Sequence, residues 1–335
     1  MNSNNLHAIS VRNNLDEVSF IRPILIILLV LYHSLCIHTG NWEPIGAEKI
    51  IPFYKELGVL AYSFMLESFV FVSGYVWAYQ REGKGRKENL WNLTVKKGLR
   101  LIVPTLLFGL LYIFLLEKDN FSVVHLIEGP GHLWFLPMLF WCFVIGWCIL
   151  QFKISSIIVL TVLFIVSILR PVCLPLRLSY TLYFLFFFFL GYYVYGYYDR
   201  IKENIKGWHL LVAWGLFFLA YGGSHIVNSN WSIGWRGGQF CTLVYATIGA
   251  MALFLTAVFV TKRRKLKRWY VNLGALCMGV YIFQQFILKG LYYHTAISSR
   301  VSNWSLPIIA FTITLLASLI LTYIFRLSRI GKKIL

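Results

Sequence analysis

Long apolar segments alternate with short polar segments along nearly the whole chain. Apolar segments of about 17 to 25 residues are long enough to cross a bilayer as α-helices. The pattern therefore predicts an all-α integral membrane helical bundle with about ten transmembrane helices. The predicted spans are 20–38, 58–80, 99–116, 132–151, 154–170, 178–198, 207–227, 238–261, 271–291 and 304–326.

Basic residues are concentrated in every second segment between these spans. With the N-terminus inside, 22 of the 31 Lys and Arg residues fall in cytoplasmic segments and 8 in outer loops, with Arg22 at the membrane edge. This distribution follows the positive-inside rule and predicts that both termini are cytoplasmic. The first residues are polar and contain no apolar stretch typical of a cleavable signal peptide. We therefore expect a multi-pass protein of the inner (plasma) membrane.

The composition excludes several classes of protein. The chain is 59% hydrophobic and 13% charged, whereas soluble domains are about 45–50% apolar and about 25% charged. No segment outside the predicted spans is long enough to fold as a domain, so the net charge of +18 does not indicate nucleic-acid binding. The six cysteines show no CxxC spacing, and neither a metal site nor a disulfide framework is predicted. There is no P-loop, dinucleotide glycine motif or GxSxG.

Arg22 and His33 lie in one otherwise apolar segment. Eleven residues correspond to about three helical turns, so both side chains should share one helix face, about 16 Å apart. An ionisable residue inside a membrane helix costs about 2.5 to 3.5 kcal/mol and commonly marks a functional site. The alternative is an arginine that reaches the interface and a histidine that only hydrogen-bonds a neighbouring helix.

Two polar segments flank the third and fourth spans. Lys97 and Arg100 stand one turn apart at the predicted cytoplasmic start of the third span, where they could bind phosphates or anchor the helix. The segment from Gly129 to Pro137 places His132 and Trp134 among turn residues at the outer end of the fourth span. These two residues could bind substrate or belong to the aromatic belt.

Two further spans carry polar groups at membrane depth. Glu67 precedes a Ser73-Gly74 pair that would allow a neighbouring helix to approach closely. Its carboxylate could orient the first-helix histidine, pair with an arginine, or be protonated and structural. Gln284 and Gln285 lie in the ninth span, where hydrogen bonding between helices is the simplest interpretation.

Taken in order, these features resemble the acyltransferase-3 family of polytopic membrane acyltransferases. The resemblance extends over residues 18–326. The segments that carry it are R-x10-H from Arg22 to His33, FVFVSGY, the basic pair before RLIVP, HLWFLP, and MGVYIF.

The resemblance implies an O-acyltransferase that moves an acyl group, most often acetyl, from cytoplasmic acyl-CoA to a hydroxyl of a carbohydrate or glycolipid. Acyl-CoA would be a co-substrate, and no cofactor would be bound. The lipid bilayer would surround the protein. His33 would be the catalytic histidine and Arg22 its essential companion. From position and charge we expect Arg22, Lys97 and Arg100 to bind the donor, and the charge of Glu67 at membrane depth makes it a further catalytic candidate. Residues 1–17 and 327–335 would form a cytoplasmic N-terminal segment and a basic cytoplasmic tail around the domain.

Three positions depart from the family pattern. Lys97 keeps the charge but loses the planar guanidinium of the usual arginine. Glu67 stands where an uncharged residue is expected. Gln284 or Gln285 stands where many members have a histidine.

The reaction is consistent with these residue types. A histidine with an ordinary pKa of about 6.5 is suited to take a hydroxyl proton, although it can also act as a nucleophile. We expect acceptor choice to depend on the outer loops at 224–238 and 292–304. Alternatives are transfer of succinyl, a non-sugar acceptor, or an organic-anion transporter or flippase. Against transport, the sequence lacks two similar halves with paired broken helices.

Overall fold

The computed structural model describes residues 15–43, 45, 50–117, 121–231 and 234–334. Within this part of the chain all regular structure is helical, and no strand forms. The α-helices are α1 (Asp16–Ser34), α2 (Cys36–Thr39), α3 (Pro52–Tyr62), α4 (Met65–Ala78), α5 (Leu90–Lys97), α6 (Val103–Leu116), α7 (Val123–Glu128), α8 (Phe135–Gln151), α9 (Ser156–Leu169), α10 (Leu178–Tyr195), α11 (Tyr198–Asn204), α12 (Gly207–Trp231), α13 (Gly234–Arg263), α14 (Arg268–Tyr293), α15 (Ile297–Arg300), α16 (Leu306–Phe325) and α17 (Arg329–Ile334).

Nine helical segments of the described chain are long and apolar enough to cross a membrane, which confirms the predicted helical membrane bundle. They are Asp16–Ser34, Pro52–Gly83, Leu90–Leu116, Gly131–Gln151, Leu178–Tyr195, Gly207–Val227, Gly234–Arg263, Arg268–Tyr293 and Leu306–Phe325. The predicted span at 154–170 forms α9, an apolar helix of 14 residues. Its length of about 21 Å is shorter than the hydrocarbon core of about 30 Å.

The loop predicted at 224–238 is largely helical. Helix α12 continues to Trp231 and α13 begins at Gly234, whereas residues 232–233 lie outside the described residues. The apolar pattern ends before the helix does, because the last turns of α12 are polar but keep helical backbone hydrogen bonds. Of the predicted N-terminal segment, residues 1–14 also lie outside the described residues.

The chain forms two compact units. The first unit contains the described residues up to Ile21, Leu66–Lys97 and Met138–Lys267. Its helices α4 and α10 cross at glycines, as the Ser-Gly pair predicts. A Cβ added at Gly74 would lie 1.9 Å from the carbonyl oxygen of Phe188, and one at Gly191 would lie 1.9 Å from that of Phe71. Only glycine allows the two backbones to approach this closely.

The second unit contains Arg22–Met65, Gly98–Pro137 and the described residues from Arg268 onward. Helices α14 and α16 pack closely within it, because a Cβ at Gly279 would lie 2.2 Å from Cγ2 of Thr322. A small apolar cluster of Ile37, Leu288, Tyr292 and Leu306 joins the segment after α1 to these two helices. This packing brings the histidine of the first helix into the same unit as the HLWFLP segment and the two glutamines.

Candidate active site

His33 lies at the end of α1 and is buried in the second unit, with 8% of its surface exposed. Its ring centroid lies 5.2 Å from that of Tyr32, 6.0 Å from Trp42 in a stacked arrangement, and 6.4 Å from His132. The Nδ1 atom is buried and has no hydrogen-bond partner among the described residues. One ring nitrogen of His33 is therefore not held by a hydrogen bond to the described residues.

His132 is presented by a tight turn at Gly129-Pro130-Gly131, followed by a 3₁₀ helix over Gly131–Trp134. Gly131 has φ 53°, in the left-handed region that favours glycine. A Cβ at Gly131 would also lie 2.3 Å from the ring of Tyr112, so glycine is required by both the backbone and the space. The turn packs against Tyr112 and buries the imidazole of His132.

Every polar group of His132 is engaged. Its Nδ1 lies 3.0 Å from Oε1 of Gln285, its Nε2 lies 3.0 Å from the carbonyl oxygen of Ile282, and its own carbonyl accepts from the Tyr281 hydroxyl. A backbone carbonyl only accepts, so Nε2 carries a proton in this arrangement. Nδ1 is then either protonated as well, which makes an imidazolium, or it accepts from the Gln285 amide after that amide turns over. His132 is a fixed ring, whereas His33 keeps a free nitrogen.

Gln285 organises the surroundings of His132. Its Oε1 accepts from the Tyr112 hydroxyl at 2.8 Å and from the backbone N–H of His132 at 3.3 Å. These bonds join α14 to α6 and to the His132 turn, as expected for a glutamine that bridges helices. The adjacent Gln284 is completely buried, and neither amide atom has a hydrogen-bond partner among the described residues.

Lys289 is a residue of this site that the sequence analysis missed. Its ammonium lies 5.1 Å from the ring centroid of Tyr112 and 5.8 Å from that of Trp42. Within the described chain this ammonium forms no ion pair with a carboxylate. The signal was present: Lys289 is a charged residue at the outer end of the predicted span 271–291, as Arg22 is at the membrane edge of the first span.

The arginines predicted to bind the donor both belong to the second unit. Arg22 is partly buried in α1 and lies close enough to Arg100 for their charges to repel, and to Cys277 for a polar interaction. Neither arginine forms an ion pair in the part of the chain that the structure describes. Two guanidinium groups that repel each other, with no carboxylate partner among the described residues, would be stabilised by an anion.

Lys97 and Trp134 have different surroundings. Lys97 belongs to the first unit, where its ammonium lies 3.6 Å from the ring centroid of Phe143. It lines a small pocket with Arg81 and Arg86. Trp134 follows His132 in the second unit, partly exposed, with its ring centroid 6.1 Å from that of Phe135.

Glu67 belongs to the first unit and is buried, with 7% of its surface exposed. Its Oε1 accepts a hydrogen bond from the Tyr183 hydroxyl at 3.0 Å. Its Oε2 is buried without a hydrogen-bond partner among the described residues. Coupling of Glu67 to the basic pair of the first helix stays a prediction.

Comparison with known proteins identifies a family. The acyltransferase-3 family model, described as an acyltransferase domain, matches residues 15–327, which is nearly the whole chain. No curated protein and no solved structure matches the chain.

Proposed function

The chain belongs to the acyltransferase-3 family, and we propose that this membrane acyltransferase moves an acetyl group from cytoplasmic acetyl-CoA to a carbohydrate hydroxyl. The acceptor is a surface or lipid-linked glycan, and the protein works in the inner (plasma) membrane. His33 carries the proposal, because it is a buried histidine of a chain of this family and its Nδ1 has no hydrogen-bond partner in the part of the chain that the structure describes.

In the proposed reaction His33 removes the proton of the acceptor hydroxyl. The hydroxyl oxygen attacks the thioester carbonyl, a C–O bond forms and the C–S bond breaks, and CoA leaves as a thiolate that takes up a proton. A positioned base typically contributes about 10²- to 10⁴-fold to such a step. The stacked Trp42 ring and the neighbouring Tyr32 fix the plane of the His33 imidazole.

The neighbours of His33 suit the negative charge that develops during the transfer. The Lys289 ammonium, near the rings of Tyr112 and Trp42, has no carboxylate partner among the described residues to neutralise it. A preorganised cation in a water-poor site stabilises an oxyanion or a thiolate more strongly than it would in water. Gln285 and Ile282 keep the His132 ring in one orientation beside His33.

Arg22 and Arg100 of the second unit are proposed to bind the phosphates of the CoA donor. Lys97, three residues before Arg100 in the sequence, is proposed to add positive charge for the same donor. Guanidinium groups bind phosphate oxygens bidentately. The charge pattern of the sequence predicts that Arg100 and Lys97 face the cytoplasm, where acetyl-CoA is found.

The test is consumption of the thioester. Purified protein in nanodiscs is mixed with acetyl-CoA and a surface glycan preparation, and both free CoA and acetylated glycan are measured. An acetyltransferase releases CoA in proportion to the acetylated glycan. A protein that only transports would leave the thioester intact, and succinyl-CoA in place of acetyl-CoA tests the choice of acyl group.

A further inference from the structure

A second cluster of polar groups lies in the first unit, around the ring of Tyr183. Glu67 lies at the hydroxyl edge of this ring, where it accepts the Tyr183 hydrogen bond. The guanidinium carbon of Arg170 lies over the ring face, 4.6 Å from its centroid. A carboxylate and a guanidinium therefore flank the same ring but form no ion pair with each other.

Both charged groups keep an unused polar atom. Oε2 of Glu67 and Nη1 of Arg170 are buried, and neither has a hydrogen-bond partner among the described residues. A buried polar atom without a partner costs about 1–3 kcal/mol, and more when the group is charged. Two such atoms beside one tyrosine indicate a place where a ligand supplies the missing partners.

The charges restrict the chemistry of that ligand. A hydroxyl group can donate to Oε2 of Glu67 and accept from Nη1 of Arg170. Arg170 would repel a cationic group, and Glu67 in its ionised form would repel an anionic group. A neutral ligand with several hydroxyl groups satisfies both atoms.

Aromatic rings beside Arg170 extend the cluster. The Trp235 ring centroid lies 5.8 Å from the Arg170 guanidinium carbon, and 46% of the Trp235 surface is exposed. Tyr180, on the first turn of α10, is 43% exposed. Apolar walls with a few fixed polar groups are typical of small-molecule sites. Exposed aromatic faces of this kind can cover the C–H face of a sugar ring.

The loop that carries Arg170 is held in an unusual conformation. Leu176 and Arg177 have φ angles of 56° and 61°, in the left-handed region that costs a non-glycine residue about 1 to 3 kcal/mol. The Ser179 hydroxyl donates to the carbonyl oxygen of Pro171 at 2.5 Å and closes the loop. Strained backbone of this kind is concentrated at ligand sites.

We propose that Glu67, Tyr183, Arg170 and Trp235 form a binding site for a neutral sugar unit of the acceptor glycan. The charge pattern predicts that the segment 170–178 is an outer loop, on the side where the acceptor lies in the proposed reaction. The identity of this sugar as acceptor rests on the proposed function, whereas the sugar site itself does not.

Direct binding tests the site without acyl transfer. The full-length protein in nanodiscs is examined by saturation-transfer difference NMR with the methyl pyranosides of glucose, galactose, mannose and rhamnose. We expect saturation transfer to the ring protons of at least one of them. Glu67→Gln, Arg170→Gln and Trp235→Leu should each weaken its binding about 10- to 100-fold. The controls Glu203→Gln and Trp208→Leu, which change a carboxylate and an exposed tryptophan elsewhere in the first unit, should bind as the wild type does.

Kinetics separate this inference from the proposed function. If the wild type acetylates glycan, the three variants should raise the KM for glycan about 10- to 100-fold and leave the KM for acetyl-CoA unchanged. Unchanged glycan KM in folded variants would overturn the sugar site and leave the acetyltransferase intact. A different outcome is also informative: the wild type binds a sugar, the three variants lose this binding, and the wild type acetylates no glycan. This outcome would support the sugar site and overturn the proposed function.

Two results remain decisive for the site itself. Absence of saturation transfer to all four glycosides would mean that ordered water alone fills the position, and it would overturn the inference. Because the partly exposed Trp235 is the substitution least able to disturb folding, equal binding by wild type and Trp235→Leu would also overturn it.

Discussion

Two polar clusters, one around His132 in the second unit and one around Tyr183 in the first, hold their buried polar groups in opposite ways. In the second unit, both ring nitrogens and both backbone groups of His132 have protein partners. Around Tyr183 in the first unit, Glu67 and Arg170 each keep a buried polar atom that has no partner among the described residues. A saturated network fixes the position of a catalytic neighbour, whereas an unsaturated pair is suited to a ligand that comes and goes. Substitutions in the two units test this difference.

His33→Ala should give the largest effect, a loss of about 10²- to 10⁴-fold in kcat, because a methyl group cannot accept a proton. Thioester consumption measures it. The matched control is His38→Asn, since His38 is equally buried in the second unit and its Nδ1 accepts from the backbone N–H of Ile51. Burial lowers the pKa of His38, so this ring stays neutral and serves as an acceptor that Asn can mimic. If the His33→Ala protein elutes as the wild type does in size-exclusion chromatography and retains most of the wild-type rate, His33 is not part of the mechanism.

Neutralising Lys97 and Arg100 together should raise the KM for acetyl-CoA about 10- to 100-fold with a smaller change in kcat. Charge-assisted hydrogen bonds made equally in the ground and transition states behave in this way. Steady-state kinetics with acetyl-CoA and with a donor lacking the 3′-phosphate measure the contribution of that phosphate. The exposed Lys265→Gln serves as the control. If removal of the 3′-phosphate from the donor raises KM by the same factor for the wild type and for the double variant, Lys97 and Arg100 do not bind that phosphate.

Gln285→Leu should lower kcat about tenfold, because His132 and Tyr112 both lose their partner. The adjacent residue Gln284 provides the contrasting variant. Gln284→Leu should raise Tm, because it removes two buried amide atoms that have no partner among the described residues. Activity and thermal unfolding of the two variants are compared side by side. Similar rates for Gln285→Leu and wild type would show that the fixed orientation of His132 is not used in catalysis.

Gly74→Ala should give the smallest of these effects, a decrease of a few degrees in Tm. The added methyl group meets the Phe188 carbonyl, and overpacking of this kind costs about 1–3 kcal/mol. Gly215 has no atom within 4 Å of an added Cβ, so Gly215→Ala is the control. Equal thermal stability of the two variants would mean that α4 and α10 separate at no cost, contrary to their close crossing.

Much of the fold could be predicted from the sequence. The length of apolar runs identifies the spanning helices, because the bilayer sets a minimum length that few soluble segments reach. Ends of helices were less predictable. Helix α12 extends to Trp231 through polar residues, since backbone hydrogen bonding continues where the apolar pattern stops.

The candidate site could be predicted only in part. Residue types marked His33, His132 and Gln285 as candidates, but their proximity depends on how helices far apart in sequence pack. The position of Arg170 over Tyr183 was not predicted for the same reason, since a loop arginine carries no signal of its own. Periodicity reports which face of one helix is apolar, and it contains no information about which partner that face meets.

The short helix α9 has a consequence for the surrounding lipid. Its 14 residues supply about 21 Å of apolar length, and Ile157, Ile158 and Leu169 lie on its exposed side. A segment this much shorter than the acyl-chain region creates hydrophobic mismatch, which lipids relieve by thinning locally at a cost of fractions of a kcal/mol per Å. Thinning beside α9 would lower the headgroup level toward Arg170 at its end. Lipids with shorter acyl chains should therefore relieve strain at this edge of the first unit, and the thickness of the host membrane becomes a physical variable of the protein.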